Sequence, residues 1–310
     1  MLPAGRMIRR VMTLLVSIAV YAGLGFFAVG CLLRVLQYSR TPVHLRWELY
    51  PVPGEGGRRA AYGGSYFESS EWWTRPRKKH LVNEIVVMLK EIFLLHGIWK
   101  QNRRLWWRSY PFHTGLYLLV AACFLAAVGA LTAHHSLSGL IFILAWICAW
   151  AGLLLTLIGS VSLAWLRTTD KNLSVQTVPG DLINLAGFAL ASLLLLAGGV
   201  SDSMPPLNEA VYGLLTLRTD LHLPVLVSIG VIAGAAMVGY IPYTHMAHFI
   251  AKYFTYHAVR WDDAAKNKAI EAGITRNLAL RPTWSAEHIG ADGKRSWAEI
   301  ATTNPERTSK

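Results

Sequence analysis

The chain has 310 residues, of which 53% are hydrophobic and only 15% are charged. Because soluble domains usually carry about 25% charged residues, this composition excludes an ordinary soluble domain and, with a mean hydropathy of +0.35, indicates an integral membrane protein. The net charge of +12 is then better explained by basic cytoplasmic loops beside anionic lipid than by a nucleic-acid-binding surface. The three cysteines form no C-x-x-C motif, so no disulfide framework, zinc site, iron–sulfur cluster or covalently attached haem is indicated.

Five stretches are long and apolar enough to cross a bilayer, which takes about 20 residues. The predicted spans are residues 11–35, 111–133, 137–166, 182–200 and 223–254. The first span is longer than the apolar core of a signal peptide and no small-residue cleavage site follows it, so we interpret it as a retained helix. The sequence therefore predicts an all-α membrane bundle of five transmembrane helices.

The loops between the spans predict the orientation of this bundle. Residues 36–110 hold thirteen Lys and Arg side chains, and the tail over 255–310 is also basic. On the other side, residues 134–136 hold no basic side chain and residues 201–221 hold only Arg218. The positive-inside rule places the basic loop and the tail in the cytoplasm and the N-terminus outside, although three arginines precede the first span.

The basic loop has two parts. Residues 36–80 are rich in Pro and Gly and are predicted to be irregular, whereas apolar residues recur at helical spacing over 81–105. This spacing predicts an amphipathic helix that lies on the cytoplasmic membrane surface. The predicted organisation is a first transmembrane helix over 1–35, the basic loop over 36–110, a four-helix membrane domain over 111–254 and a cytoplasmic tail over 255–310.

Histidines stand at the predicted cytoplasmic ends of the second and fifth spans. His113 opens the second span, and His245 and His248 lie near the end of the fifth. Antiparallel helices bring these residues to the same depth, where ionisable side chains usually have a function. Two imidazoles on facing helices can bind a haem iron axially, and Gly115 would let the macrocycle approach the backbone. The alternative is a set of ordinary histidines at the membrane interface.

A second group of histidines lies at the opposite face of the membrane. His134 and His135 end the second span, and His222 opens the fifth. Three roles stay open for them: ligands of a second haem, a binding site for a quinone headgroup, or solvated loop residues. Neighbouring helical residues point in different directions, so His134 and His135 cannot both face one site.

Two motifs surround the cytoplasmic histidines. Phe-His-Thr-Gly at 112–115 is similar to an F-H-x-G motif, and residues 241–248 are similar to a [FY]-P-[FY]-x-x-x-x-H motif whose spacing selects His248 over His245. On these motifs, residues 108–257 resemble the gamma-subunit family of respiratory nitrate reductase, which includes membrane cytochrome b subunits of sulfate-reducer and methanogen redox complexes. Residues 48–55, with nearby Gly and Trp pairs, look more like the sulfate-reducer branch.

The resemblance implies a five-helix, N-out membrane cytochrome with b-type haem bound by His113 and His248. It also implies electron exchange with menaquinol. Family members with two haems carry further histidines at the positions of Cys123 and Gly230, so the usual second pair is absent here. One haem is the favoured count, and a second would need His222 together with His134 or His135.

These observations lead to a functional expectation. The chain would be an electron-transfer subunit, not catalytic alone, of a quinol-linked oxidoreductase of anaerobic respiration in the inner (cytoplasmic) membrane. It would exchange electrons between menaquinol or menaquinone and a cytoplasmic iron–sulfur partner. Two other classes stay open: a haem-free anchor or scaffold subunit, and a transporter, which the absence of an inverted repeat disfavours.

Overall fold

The computed structural model describes the regions of the chain that carry most of the predicted spans. The described residues are 4–40, 55, 57–62, 69–70, 81–132, 137–200, 207–218, 221, 223–255, 268–282 and 292–303. The chain divides into two compact units. The first is made of Met1–Arg34 and Leu89–His248, and the second of Val35–Met88 and Phe249–Lys310. The first unit contains the membrane bundle.

Regular structure in the described residues is helical. The helices are, in chain order, α1 (Ala4–Ser39), α2 (Arg58–Ala61), α3 (Leu81–Leu94), α4 (His96–Gln101), α5 (Arg103–Leu131), α6 (Ser138–Thr169), α7 (Lys171–Ser174), α8 (Pro179–Gly199), α9 (Leu207–Leu215), α10 (Val225–Tyr240), α11 (His248–Thr255), α12 (Lys268–Leu278) and α13 (Trp297–Thr302). Five segments are long and apolar enough to cross a membrane: α1, α5, α6, α8, and α10 together with the turn that follows it, up to Tyr243. The prediction of an all-α bundle with five membrane-spanning helices is confirmed.

Ion pairs show which helix ends meet in the first unit. Arg104 at the start of α5 pairs with Asp170, the residue after α6, and Arg167 near the end of α6 pairs with Asp181 near the start of α8. His245, which follows α10, also contacts Asp181. We call this end of the bundle the histidine end. That it faces the cytoplasm stays a prediction.

Small residues let the bundle helices approach closely, as is common in membranes. A Cβ added at Gly159 of α6 would lie 2.5 Å from the Cα of Phe112 on α5, and one added at Gly230 of α10 would lie 2.9 Å from Leu195 on α8. Next to the first contact, a buried core joins α5, α6 and α8. Its members are Phe112, Leu163, Leu185 and Phe188.

α1 packs along α10 in the first unit. Gly23 lies against the carbonyl of Ala235, and Gly30 lies against the ring of Pro242. Near its other end, the hydroxyl of Thr13 donates a 2.7 Å hydrogen bond to the carbonyl of Leu221. A carbonyl that no helix satisfies needs such a donor inside a membrane, so this contact ties the first span to the bundle.

The second predicted span begins earlier than expected. α5 starts at Arg103 rather than at residue 111, because the side chain of Asn102 accepts a 2.9 Å hydrogen bond from the N–H of Leu105 and caps the helix. Pro111 is therefore inside α5. Proline is tolerated within membrane helices whose neighbours support them. As a result, His113 lies about three turns into the helix rather than at its first turn.

The prediction of one amphipathic helix over 81–105 is wrong in its continuity. Leu95 adopts a left-handed conformation with φ 48° and separates α3 from α4. This conformation costs a non-glycine residue roughly 1–2 kcal/mol, and the side chain of Leu95 is buried, which offsets the cost. Apolar side chains along α3, including Leu81 and Val82, are exposed on the protein. A position on the membrane surface stays a prediction.

The fifth predicted span is also interrupted. α10 ends at Tyr240, and two short 3-10 turns, Ile241–Tyr243 and His245–Ala247, precede α11. Pro242 lacks an N–H and cannot continue the helical hydrogen bonds. Arg34 of α1 donates a 2.9 Å hydrogen bond from Nε to the Pro242 carbonyl. His248 therefore begins a new helix instead of ending the old one.

In the second unit, α12 and α13 contact each other through a backbone hydrogen bond from the N–H of Trp297 to the carbonyl of Leu280. Ser296 and Glu299 form a reciprocal capping box at the start of α13. Just before it, backbone N–H groups of Arg295 and Lys294 lower the pKa of Asp292 to about 2. These caps explain why a short helix forms in the polar tail.

Candidate functional site

His113 and His248 come together at the histidine end of the bundle. His113 lies on α5 and His248 is the first residue of α11, and the centroids of their rings are 6.1 Å apart. His113 is half-buried and His248 is exposed on the isolated chain. The two histidines that the sequence motifs select are thus neighbours in the fold.

Each of these imidazoles is oriented by a backbone carbonyl. Nδ1 of His113 donates to the carbonyl of Ser109 at 2.8 Å, and Nδ1 of His248 donates to the carbonyl of His245 at 3.1 Å. A carbonyl oxygen only accepts hydrogen bonds, so Nδ1 carries the proton in both rings and Nε2 carries the lone pair. This is the arrangement of metal-binding histidines, whose other ring nitrogen is held by a carbonyl or carboxylate.

The ring separation fits two imidazoles that would hold the same metal ion. Metal–imidazole bonds are about 2 Å long, so two opposed imidazoles on one metal have centroids about 6 Å apart. The observed 6.1 Å agrees with this value. Two imidazoles alone satisfy an iron whose other four positions belong to a macrocycle. The donor set therefore fits a haem, with His113 and His248 as the residues that would hold it.

An aromatic stripe continues from His113 along one face of α5. Trp106, Tyr110 and Tyr117 recur at spacings of three to four residues with His113, which places them on that face. The rings of Trp106 and Tyr110 stack with centroids 4.5 Å apart, and the ring of Tyr117 lies 6.5 Å from that of His113. The sequence analysis missed this stripe, although the spacing was present in the sequence.

The aromatic stripe fixes the end of α3 beside the histidine site. The hydroxyl of Tyr117 donates to the carbonyl of Ile92 at 2.9 Å, and Nε1 of Trp106 donates to the carbonyl of Leu94 at 2.7 Å. The last carbonyls of a helix have no partner within the helix, and here two side chains of α5 satisfy them. The ring of Phe93 adds an edge contact with Tyr117 at 5.7 Å.

Two carboxylates at this end bind arginines in similar ways. Asp181 lies 3.4 Å from Nη1 of Arg167, and Asp170 lies 3.3 Å from Nη1 of Arg104. Asp181 differs because its other oxygen lies 3.3 Å from Nδ1 of His245. Its side chain is only 14% exposed. The sequence analysis missed Asp181, although few acidic residues stand near the ends of the apolar spans.

The expected role of Gly115 is wrong. A Cβ at this position would lie 2.5 Å from the backbone nitrogen of Thr156 on α6. Gly115 therefore serves the close packing of α5 on α6 and does not face the space beside His113. Its spacing within the sequence motif is explained by helix contact.

The two positions that hold the second histidine pair in two-haem members of the family lie away from His113 and His248. Cys123 of α5 is exposed, and Gly230 of α10 packs against Leu195. The described residues thus offer no bis-histidine pair at these two positions. His134 and His222, predicted as a second haem or quinone site, and the neighbouring His135 lie outside the described residues. Their role stays a prediction.

Comparisons of the chain with protein-family models, with characterised proteins and with solved structures find no match. The resemblance to the nitrate reductase gamma-subunit family therefore rests on the two histidine motifs. The geometry around His113 and His248 is an independent observation, since it depends on distances and hydrogen bonds rather than on likeness.

Proposed function

We propose that this chain is a membrane cytochrome b subunit that exchanges electrons between menaquinol or menaquinone and a cytoplasmic iron–sulfur partner. One observation carries the proposal. The ring centroids of His113 and His248 are 6.1 Å apart, and each ring has its Nδ1 hydrogen-bonded to a backbone carbonyl. Two histidines that were merely solvated would have no need to lie this close together.

In the proposed site, His113 and His248 would hold the haem through their Nε2 nitrogens. The haem would supply one-electron transfer, because two protein ligands leave no open position for oxygen or substrate. The carbonyl acceptors at Ser109 and His245 keep both rings in the required tautomer and make Nε2 more basic. These contacts of the chain hold the donor nitrogens before any ligand enters.

The basic segments support an acidic partner in the cytoplasm. The loop before α5 and the tail after α11 carry most of the Lys and Arg side chains outside the spans. Positively charged loops favour a cytoplasmic location, and a basic surface attracts an acidic partner at long range. The proposed iron–sulfur partner would therefore dock on these segments.

The test uses the full-length chain purified in detergent. We expect a low-spin b-type spectrum on reduction with dithionite, and we expect the same band to appear on addition of menadiol, a soluble menaquinol analogue. A chain without any b-type band would be a haem-free anchor or a transporter, and the proposal would fail. A band that dithionite reduces but menadiol does not would remove the quinol from the proposal. The His113→Ala variant is the control for a signal from contaminating cytochromes.

A further inference from the structure

A chain of polar contacts runs from α6 to the backbone that orients His248. Arg167 of α6 contacts Asp181 at 3.4 Å, and Asp181 contacts Nδ1 of His245 at 3.3 Å. The carbonyl of the same His245 accepts the hydrogen bond from Nδ1 of His248 at 3.1 Å. Three separate elements, α6, α8 and the turn before α11, thus meet at Asp181.

The turn that contains His245 needs this support because it is not part of a regular helix. It lies in the 3-10 segment His245–Ala247, which follows the break at Pro242. Thr244 holds its start by accepting a 3.1 Å hydrogen bond from the N–H of Met246. The imidazole of His245 is 74% exposed, so Asp181 is the contact that ties this side chain to α8.

We infer that Asp181 is a positioning residue for the axial ligand His248, acting through the side chain and the carbonyl of His245. The inference rests on the proposed function. Arg167 keeps the carboxylate of Asp181 in place, the carboxylate holds the His245 turn, and the turn presents the carbonyl that orients His248. Loss of such an outer contact typically weakens metal binding about 10–100-fold.

Asp170 provides a matched control within the same end of the bundle. Both aspartates pair with an arginine, and both cap the start of a helix: Asp170 accepts from the N–H groups of Asn172 and Leu173, and Asp181 accepts from the N–H of Val178. Of the two, only Asp181 contacts a histidine in the described structure. A general loss of helix capping would therefore affect both variants alike.

The experiment measures haem transfer from Asp181→Ala and Asp170→Ala to excess apomyoglobin in detergent, together with the reduction potential of each. We expect Asp181→Ala to lose haem about tenfold faster than the unaltered chain. Its potential should rise, because an imidazole without its Nδ1 hydrogen bond is a weaker donor to ferric iron. Asp170→Ala should change neither quantity. Equal effects of the two variants, or no effect of Asp181→Ala, would overturn the inference.

A second pair of variants tests the route through His245. His245→Ala keeps the backbone carbonyl but removes the contact with Asp181. This variant should therefore still bind haem, and it should lose haem as fast as Asp181→Ala does. The double variant should be no worse than either single variant, since both remove one shared contact. Additive effects would contradict the route. The unaltered chain separates the two hypotheses: without a b-type spectrum the proposed function fails, whereas a normal spectrum with unchanged variants refutes only the role of Asp181.

Discussion

The two halves of the bundle use the same helices in opposite ways. At the histidine end, α10 stops before Pro242, and the chain turns so that the ring of His248 lies 6.1 Å from that of His113 on α5. In the other half, α10 is a regular helix whose Gly230 packs against Leu195 of α8, and Cys123 of α5 is exposed. The histidine end holds two imidazoles that are hydrogen-bonded to the backbone. In the other half, Gly230 of α10 serves helix packing and Cys123 of α5 lies on the outer surface.

The difference suggests how a regular bundle would accommodate the proposed planar ligand. Close packing through glycine leaves no room between helices, because interiors are packed to near crystal density. A break in one helix separates the partners locally and also supplies backbone carbonyls that no helix satisfies. At the histidine end, one such carbonyl, that of His245, orients His248. The helix break and the proposed ligand site are thus parts of one local structure.

The largest expected effect comes from removing either ligand. His113→Ala and His248→Ala should each abolish the whole b-type spectrum, because one imidazole leaves the iron without its second strong axial bond. The measurement is the dithionite-reduced spectrum of each purified variant. His134→Ala combined with His222→Ala is the control and should leave the spectrum unchanged. If either single variant kept its spectrum, the pairing of His113 with His248 would be wrong.

Glycine variants should separate the two halves with a smaller effect. Gly159→Ala pushes against the backbone of Phe112, next to His113, and should lower both stability and haem content. Gly230→Ala, which meets Leu195, should lower stability alone. Overpacking of this kind costs about 1–3 kcal/mol. Gly234→Ala, on the same helix with nothing within 4 Å of the added Cβ, should be neutral or slightly stabilising.

Thermal unfolding in detergent, followed with the reduced spectrum, measures these effects. If Gly230→Ala lowered the haem content as much as it lowered the thermal stability, the two halves would not be separate. A Gly159→Ala chain as stable as Gly234→Ala would contradict the close contact of α5 with α6.

The sequence predicted the spans because burial in lipid needs only length and apolar composition, which a single chain displays directly. It also predicted that His113 and His248 lie close together, because antiparallel spans bring them to the same depth, and their ring centroids are 6.1 Å apart. That they bind haem stays a prediction. The boundaries were less accurate. Asn102 caps α5 nine residues before Pro111, the proline at which the sequence suggested a start.

Other features depended on contacts between distant residues and could not be predicted. Leu95 is left-handed although nothing in its type favours that conformation, and its burial stabilises it. The sequence suggested that Gly115 leaves space beside a ligand. In the structure Gly115 packs against Thr156, which is 41 positions along the chain. Asp181 became relevant only when α8 and the turn at His245 were brought together. Such pairings follow from packing rather than from local pattern.

The decisive measurement is the haem content of the purified chain. A pyridine haemochrome assay combined with a protein determination gives the number of b haems per chain. We expect one haem, bound by His113 and His248 and absent when either is replaced. A chain that binds no haem would contradict the assignment of the histidine pair, and a chain that binds two would contradict the contrast between the two halves of the bundle.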